Sequence, residues 1–300
     1  MRRILVMERG QLPESAKEVL KSLETRDHPW SGTVATRADW ADGLEIKVFK
    51  EDKNIDILYW VGCTAALDER NMKVSAATAK ILKAAGVNFG ILGAEENCCG
   101  DPARRIGNEY LFQTICEKNV ELLNSYDVKK ILASCPHCFN TLKNEYSQFN
   151  GNFQVIHHSQ LISDLIRDGK IKPGKLDANK VIAYHDACYL GRYNDIYRAP
   201  RDILRSIGSV KPTELAHSGS RSFCCGGGGG HMWMEEDPST RVSVRRVKEA
   251  IESKADILAT ACPYCLSMVE DGIKTKEAEE SIKAMDLSEL VAQALHLNYS

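Results

Sequence analysis

The chain has 300 residues, enough for one large domain or two medium ones, each with a core of its own. Its formal charge of -2 lacks the basic excess that draws proteins to nucleic acid, so no nucleic-acid partner is expected. The longest apolar runs fall far short of the roughly 20 residues that span a bilayer, so no transmembrane segment is expected either.

The N terminus is basic and briefly apolar, but charged and polar residues from Glu8 onward interrupt it before a signal-peptide core forms. We therefore expect a cytoplasmic protein. Eleven cysteines in such a chain disfavour a disulfide framework, which belongs to oxidising compartments. Metal binding or thiol chemistry is the better expectation.

Composition divides the chain into three parts. Residues 1–54 contain no cysteine and mix charged with scattered apolar residues, which indicates an N-terminal arm. The polar, glycine-containing stretch 168–175 indicates a link between two halves. We place a first domain at 55–172 and a second at 173–300.

Short apolar runs precede cysteines in both halves and predict buried strands. These runs are 55–61, 130–133, 180–184 and 256–259. Helical patterns lie between them, at 71–85, 103–124, 199–207 and 239–253. Strands that alternate with helices indicate an α/β fold.

Ten of the eleven cysteines form two copies of one five-cysteine motif. In the first copy, Cys63 is followed after 34 residues by Cys98-Cys99-Gly100 and after 35 more by Cys135-Pro136-His137-Cys138. In the second copy, Cys188 is followed after 35 residues by Cys224-Cys225-Gly226 and after 36 more by Cys262-Pro263-Tyr264-Cys265. Equivalent cysteines lie 125 to 127 positions apart, which indicates an internal repeat.

Five thiols in each copy are more than one tetrahedral ion can bind. A CPxC turn places two sulfurs on one side of the backbone, and its proline favours the start of a helix. Zinc in such a site takes four ligands. The adjacent cysteine pair instead suits a centre with several irons, each of which takes one sulfur. A zinc-stabilised scaffold without redox chemistry stays open as an alternative that leaves one cysteine per copy unused.

The glycine run from Gly226 to Gly230 lets the backbone approach inorganic sulfur closely and offer N–H donors to it. Phosphate binding is the alternative, although the run lacks the lysine of a P-loop and the spaced glycines of a dinucleotide fingerprint. Gly100 is the only glycine at the equivalent place in the first copy.

Other residues have two interpretations each. Cys116 lies outside both motifs and is expected to be a small buried apolar residue. His157 and His158 are expected to be linker residues, with a pocket or proton relay as the alternative. Three histidines next to motif cysteines either hydrogen-bond a sulfur or only pack: His137, His185 and His231. Three arginines are either solvated or offset thiolate charge: Arg104, Arg105 and Arg192.

The cysteine spacing resembles the cysteine-rich CCG domain over residues 55–270. In duplicate, that domain forms the catalytic subunit of heterodisulfide reductases and related iron-sulfur oxidoreductases. The resemblance implies two similar, pseudo-twofold-related CCG domains, each a small, mostly parallel sheet flanked by helices. It also implies two noncubane 4Fe-4S clusters, each held by five cysteines.

By this resemblance the ten motif cysteines are the cluster ligands, and no further catalytic residue is assigned. The first cluster is held by Cys63, Cys98, Cys99, Cys135 and Cys138. The second is held by Cys188, Cys224, Cys225, Cys262 and Cys265.

Three strings resemble one branch of the family in particular: residues 100–107, 134–141 and 230–236. Members of that branch are membrane-linked oxidoreductases that pass electrons from electron-transfer flavoprotein toward menaquinone. The implied partners are a ferredoxin-like iron-sulfur subunit or a flavoprotein, together with a membrane quinone-reactive subunit. Association with the inner face of the membrane would come through such a partner.

The expected function is therefore an electron-transfer subunit of an anaerobic oxidoreductase complex, between a flavoprotein or ferredoxin-like partner and a quinone or other acceptor. The alternative within the same family is cleavage of a disulfide substrate between two facing clusters. The zinc scaffold is the alternative from a different class of protein.

Overall fold

The computed structural model describes residues 1–30, 36–234, 236–237 and 240–299. Glu235, in one of the family-like strings, and Ser239, the predicted start of a helix, lie outside the described residues. The predicted α/β fold is confirmed, because each half contains one parallel sheet flanked by helices.

The first sheet has five strands: Lys47–Val48 (β1), Ile57–Trp60 (β2), Phe89–Ile91 (β3), Lys130–Ala133 (β4) and Gln154–His157 (β5). The second has four: Lys175–Tyr184 (β6), Gly208–Thr213 (β7), Ile257–Thr260 (β8) and Lys283–Asp286 (β9). The strand orders are β1-β3-β2-β4-β5 and β7-β6-β8-β9, and all neighbours are parallel. The order β3-β2-β4-β5 in the first half therefore recurs as β7-β6-β8-β9 in the second.

Eleven α-helices accompany these strands among the described residues. In the first half they are Glu14–Arg26 (α1), Cys63–Leu67 (α2), Glu69–Ala84 (α3), Asp101–Ile106 (α4), Glu109–Ser125 (α5), Pro136–Asn140 (α6) and His158–Arg167 (α7). In the second half they are Arg198–Ser206 (α8), Val242–Glu252 (α9), Pro263–Thr275 (α10) and Leu287–Ala294 (α11). No helix in the described ranges is both long and apolar enough to cross a bilayer.

The strands that lead to the cysteines were predicted well because they are buried on both faces. All four residues of β2 and of β8 are buried, as the covered sheets of α/β proteins require. The single helix predicted at 103–124 was wrong. Gly107 has a φ of +121°, which ends α4, and the Asn108 side chain accepts a hydrogen bond from the Leu111 N–H and starts α5.

The N-terminal segment 1–54 packs against the first half. Strand β1 pairs with β3 at the edge of the first sheet, and α1 buries Ala16, Val19 and Leu23 in the core. Arg2 Nη1 donates to the carbonyl oxygen of Gly229 at 2.8 Å, so the start of the segment also touches the glycine run of the second half.

Ion pairs join the two halves behind the sheets. Arg70 at the start of α3 contacts Glu270 on α10, at 2.5 Å, and Glu289 on α11, at 2.8 Å. The predicted link near residue 172 lies between the end of α7 and the start of β6.

Candidate iron-sulfur centres

The strand ends bring the motif cysteines together. Cys63 and Cys135 follow the carboxyl ends of β2 and β4, and Cys188 and Cys262 follow those of β6 and β8. Because the paired strands are parallel, these ends meet at one edge of each sheet, where α/β proteins place their functional groups.

Each CPxC turn starts a helix, as its proline predicts. Cys135 is the residue before α6 and Cys262 is the residue before α10, with a proline at the first helical position in both. This geometry turns the second cysteine of each pair back toward the first. All four cysteines of the two turns are buried.

Glycine N–H groups donate to sulfur at both Cys-Cys-Gly strings. The Gly100 N–H approaches Cys98 Sγ at 3.5 Å, and the Gly226 N–H approaches Cys224 Sγ at 3.3 Å. Gly227 repeats the contact with the Cys225 sulfur at 3.5 Å. These donors support the sulfur interpretation of the glycine run, because N–H groups that point at sulfur stabilise thiolate charge.

The ten motif thiols form one unbroken series of neighbours. In order they are Cys63, Cys98, Cys99, Cys138, Cys135, Cys262, Cys265, Cys225, Cys224 and Cys188. The second five repeat the first five in reverse, so the series has a pseudo-twofold centre at the contact between Cys135 and Cys262. Two of its separations are 4.0 Å, from Cys63 to Cys98, and 3.3 Å, from Cys225 to Cys265.

These contacts change how readily the thiols ionise. The neighbouring Cys98 thiol and then burial raise the pKa of Cys63 well above its usual range, and Cys225, Cys262 and burial do the same to the pKa of Cys265. Hydrogen bonds from Cys188 and Cys225 instead lower the pKa of Cys224. Metal binding to such a set displaces protons from the high-pKa thiols, because thiolates are the ligands.

A small cavity lies at the first set. All five cysteines of that set line it, together with Thr64 and with Pro263 and Tyr264 from the second half. The Thr64 hydroxyl is buried and has no hydrogen-bond partner within the described residues. A buried donor left free beside five thiols suits a ligand that accepts hydrogen bonds, as the sulfides of a cluster do.

Gly62 lets the chain pass close to this cavity. Its φ is +81°, and a Cβ added there would lie 3.1 Å from Cys138 Sγ. The carboxylate of Glu96, which is buried, accepts the N–H groups of Val61 at 3.0 Å and Gly62 at 2.8 Å and so fixes this approach. Arg37 pairs with Glu96 at 3.3 Å and compensates its charge.

His185 provides a donor at the second set. Its Nδ1 accepts a hydrogen bond from Arg246 Nε at 3.0 Å, so the proton of the neutral ring is on Nε2. Burial first, and Arg246 second, lower the pKa of His185 to about 3, which keeps the ring neutral. Nε2 has no partner within the described part of the chain, and a ring nitrogen of His185 lies within 4.8 Å of the Cys225 and Cys265 sulfurs. His185 is therefore placed as a hydrogen-bond donor to sulfur and not as a metal ligand.

We expect His185→Leu to make the reduction potential of the second centre more negative by roughly 60 mV, about 1.4 kcal/mol for one electron, because a hydrogen bond to sulfur is lost. His185→Gln, which retains an N–H donor, should recover part of the shift. Redox titration followed by electron paramagnetic resonance measures both. Equal potentials in wild type and His185→Leu would contradict the assignment.

His137 and its neighbours form a buried charged group beside the first set. His137 Nδ1 lies 2.9 Å from Asp101 Oδ2, and Arg105 Nε lies 2.9 Å from the other oxygen of Asp101. Burial alone would lower the pKa of His137, but the Asp101 carboxylate raises it. Arg104 pairs with Glu145 at 2.9 Å. Both arginines are engaged by carboxylates, so neither is a solvated residue nor free to offset thiolate charge, and both sequence interpretations of them were wrong.

His157 lies between the two CPxC turns. Its Nε2 contacts the carbonyl oxygen of Ser134 at 3.2 Å and also the carbonyl of Ala261, the residues just before Cys135 and Cys262. Its Nδ1 accepts the Ser159 N–H, so the neutral ring donates from Nε2 to both halves. The sequence interpretation of a linker histidine missed this position, because the contact to Ala261 depends on packing between the halves.

Three residues flagged in the sequence lie away from the sulfurs. Cys116 is fully buried within α5, as predicted. His231 pairs with Glu236 at 2.6 Å and makes no described contact with a cysteine. Trp233 packs edge-on against Tyr264 at a ring separation of 5.7 Å, so it covers the residue that lines the first cavity.

Comparisons with known proteins agree with this geometry. The cysteine-rich domain (CCG) family model matches residues 57–143 and 182–270. A probable iron-sulfur-binding oxidoreductase, FadF, from Bacillus subtilis (strain 168) is 40% identical over 302 residues, 98% of this chain and 43% of the relative. The EtfAB:quinone oxidoreductase of Syntrophomonas wolfei is 40% identical over 307 residues, with the same coverage of 98% and 43%.

A third relative is similar over more of its own length. This relative, one subunit of the dihydromethanophenazine:CoB--CoM heterodisulfide reductase from Methanosarcina barkeri, is 35% identical over 302 residues, 98% of this chain and 72% of the relative. The chain thus spans less than half the length of the two relatives above and most of the reductase polypeptide. These relatives support iron-sulfur clusters as the bound groups.

Proposed function

The chain belongs to the cysteine-rich (CCG) domain family, and from this we propose that it is an iron-sulfur electron-transfer subunit of an anaerobic oxidoreductase complex. We propose that each five-cysteine set holds one noncubane 4Fe-4S cluster and that the halves at 55–172 and 173–300 are two domains. The observation that carries the proposal is the series of ten neighbouring thiols, which no disulfide interrupts. Such clusters, when bound, supply one-electron chemistry.

The chain's own residues then have three tasks. The motif cysteines supply thiolates, and glycine N–H groups at 100, 226 and 227 offset their charge. The buried strands and the covering residue Tyr264 exclude water from the first set. His157 holds the two CPxC turns at a fixed separation. A rigid, dry pair of sites suits transfer between them, because little reorganisation accompanies a change of charge.

Expected partners are a ferredoxin-like subunit or flavoprotein on one side and a quinone-reactive membrane subunit on the other. This is a proposal by similarity to the EtfAB:quinone oxidoreductase, more than half of which has no counterpart in the chain. The expected compartment stays the cytoplasm, since all eleven cysteines are free thiols.

Disulfide cleavage is a second candidate, and one observation favours it. The Cys135 and Cys262 thiols are in contact across the pseudo-twofold centre, so two groups bound there would face each other. Cleavage of a substrate disulfide held between such groups would need two electrons and two protons to give two thiols. The relative from Methanosarcina barkeri belongs to a protein named for such a heterodisulfide.

Stepwise reduction tests the main proposal. We expect dithionite to deliver about two electrons per chain to the anaerobically purified protein, one for each cluster, as counted by electron paramagnetic resonance. With reduced methyl viologen as donor, we expect no catalytic release of thiols from CoB–CoM heterodisulfide. Thiol release over many turnovers would favour the second candidate, and failure to take up electrons would exclude both.

A further inference from the structure

The two sets of thiols differ in their exposure to solvent. The five cysteines of the first set are at most 4% exposed, whereas Cys188 and Cys224 of the second set are only partly buried. A redox partner that approaches from solvent therefore comes closer to the second set. The surface around these two sulfurs is the place where electrons enter or leave with the least intervening protein.

Five exposed residues surround the partly buried sulfurs, and we call them the arginine patch: Arg192, Tyr193, Arg221, Val242 and Arg245. The Tyr193 N–H donates to the Cys188 carbonyl, and the Tyr193 side chain is 62% exposed. Val242 is 42% exposed, and its Cβ lies 3.4 Å from a Cβ placed on Gly226. The patch thus combines a tyrosine and a valine with arginines, a composition typical of protein interfaces.

The charges of the patch are not compensated. Arg192 donates to the Ser222 carbonyl, and the Arg245 guanidinium lies 4.7 Å from the centre of the Phe223 ring. Within the described ranges none of Arg192, Arg221 and Arg245 forms an ion pair with a carboxylate. The buried or half-buried arginines of the same half do so, as Arg201 pairs with Asp186 at 2.8 Å. The whole chain has a charge of -2, so this positive surface is local.

We propose that the arginine patch is the docking surface for an acidic redox protein, of the ferredoxin or flavoprotein type, that exchanges electrons at the second set of thiolates. The proposal rests on the proposed function and adds the face and the charge of the partner. Three uncompensated guanidinium groups raise the encounter rate with an acidic surface, and they disfavour a basic one. Tyr193 and Val242 supply the apolar contact that holds the encounter complex.

Reduction by a plant-type ferredoxin, used as an acidic probe protein, tests the proposal. In the double variant Arg221→Glu/Arg245→Glu we expect the second-order rate of reduction at low ionic strength to fall about tenfold or more, and the difference to narrow as salt screens the charges. The neutral variant Arg221→Gln/Arg245→Gln should give an intermediate rate and serves if charge reversal disturbs folding.

The matched control is Lys53→Glu/Lys276→Glu, which changes the net charge equally at exposed positions near the amino ends of the strands. Its rate with ferredoxin should stay within about twofold of wild type, because the change lies far from the patch. Dithionite, a small reductant, should reduce all variants alike. An unchanged ferredoxin rate in the patch variants, with normal dithionite reduction, would overturn the docking surface and leave the proposed function standing. Failure of dithionite to reduce wild type would overturn both.

Discussion

Cys225→Ser is expected to remove about half of the iron and half of the acid-labile sulfide from the protein, leaving roughly four of each per chain. Cys225 is buried, lies 3.3 Å from Cys265 and receives the Gly227 N–H, so it is central to the second set. A centre with several irons loses a ligand and its supporting donor at once. Metal and sulfide analysis after anaerobic purification measures the loss.

Two comparisons sharpen this result. Cys116→Ala removes a buried thiol outside both sets and should leave iron and sulfide unchanged. A zinc site in the second set would still have four thiolates after Cys225→Ser, enough for tetrahedral coordination. Full metal content without sulfide in Cys225→Ser would therefore contradict the cluster assignment and favour the zinc scaffold.

Gly62→Ala is expected to abolish the first centre while the second centre and the fold survive. The new Cβ would lie 3.1 Å from Cys138 Sγ, closer than ordinary contacts, and the φ of +81° adds backbone strain of order 1 kcal/mol or more. The hydrogen bonds from Val61 and Gly62 to Glu96 prevent the chain from moving away. Iron should fall to about four per chain, and the electron paramagnetic resonance signal of one centre should disappear.

Gly86→Ala separates the two causes. Gly86 has a φ of +68°, similar to that of Gly62, but a Cβ there would meet nothing within 4 Å. Its strain is therefore comparable and its contact with sulfur is absent. Gly86→Ala should unfold at a lower temperature than wild type and retain all of its iron. Equal loss of iron in both variants would show that the contact with Cys138 is not the cause.

Much of the fold follows from local sequence. The strand at 130–133 was predicted to the residue, since a buried apolar run leads directly into Cys135. The helix starts at Pro136 and Pro263 follow from proline at the first helical position. The end of α4 at Gly107 and the start of α5 at Asn108 were missed, although glycine followed by asparagine signals this boundary.

The environment of the thiols was harder to predict because it depends on tertiary contacts. Glu96 supports Gly62 from 34 positions away, and nothing in its local sequence distinguishes it from a surface glutamate. The contact of Cys135 with Cys262 arises from packing of the halves and not from the spacing of either motif. The assignment of the ten cysteines as ligands and the division into domains stay predictions.

Iron, acid-labile sulfide and zinc per chain, measured after anaerobic purification of the wild-type protein, test the central claim most directly. Two clusters in the two five-thiol sets predict about eight irons and eight sulfides, with little zinc. Zinc without sulfide, after anaerobic reconstitution with iron and sulfide has also failed, would contradict the claim and leave a zinc-stabilised scaffold as the account of the ten thiols.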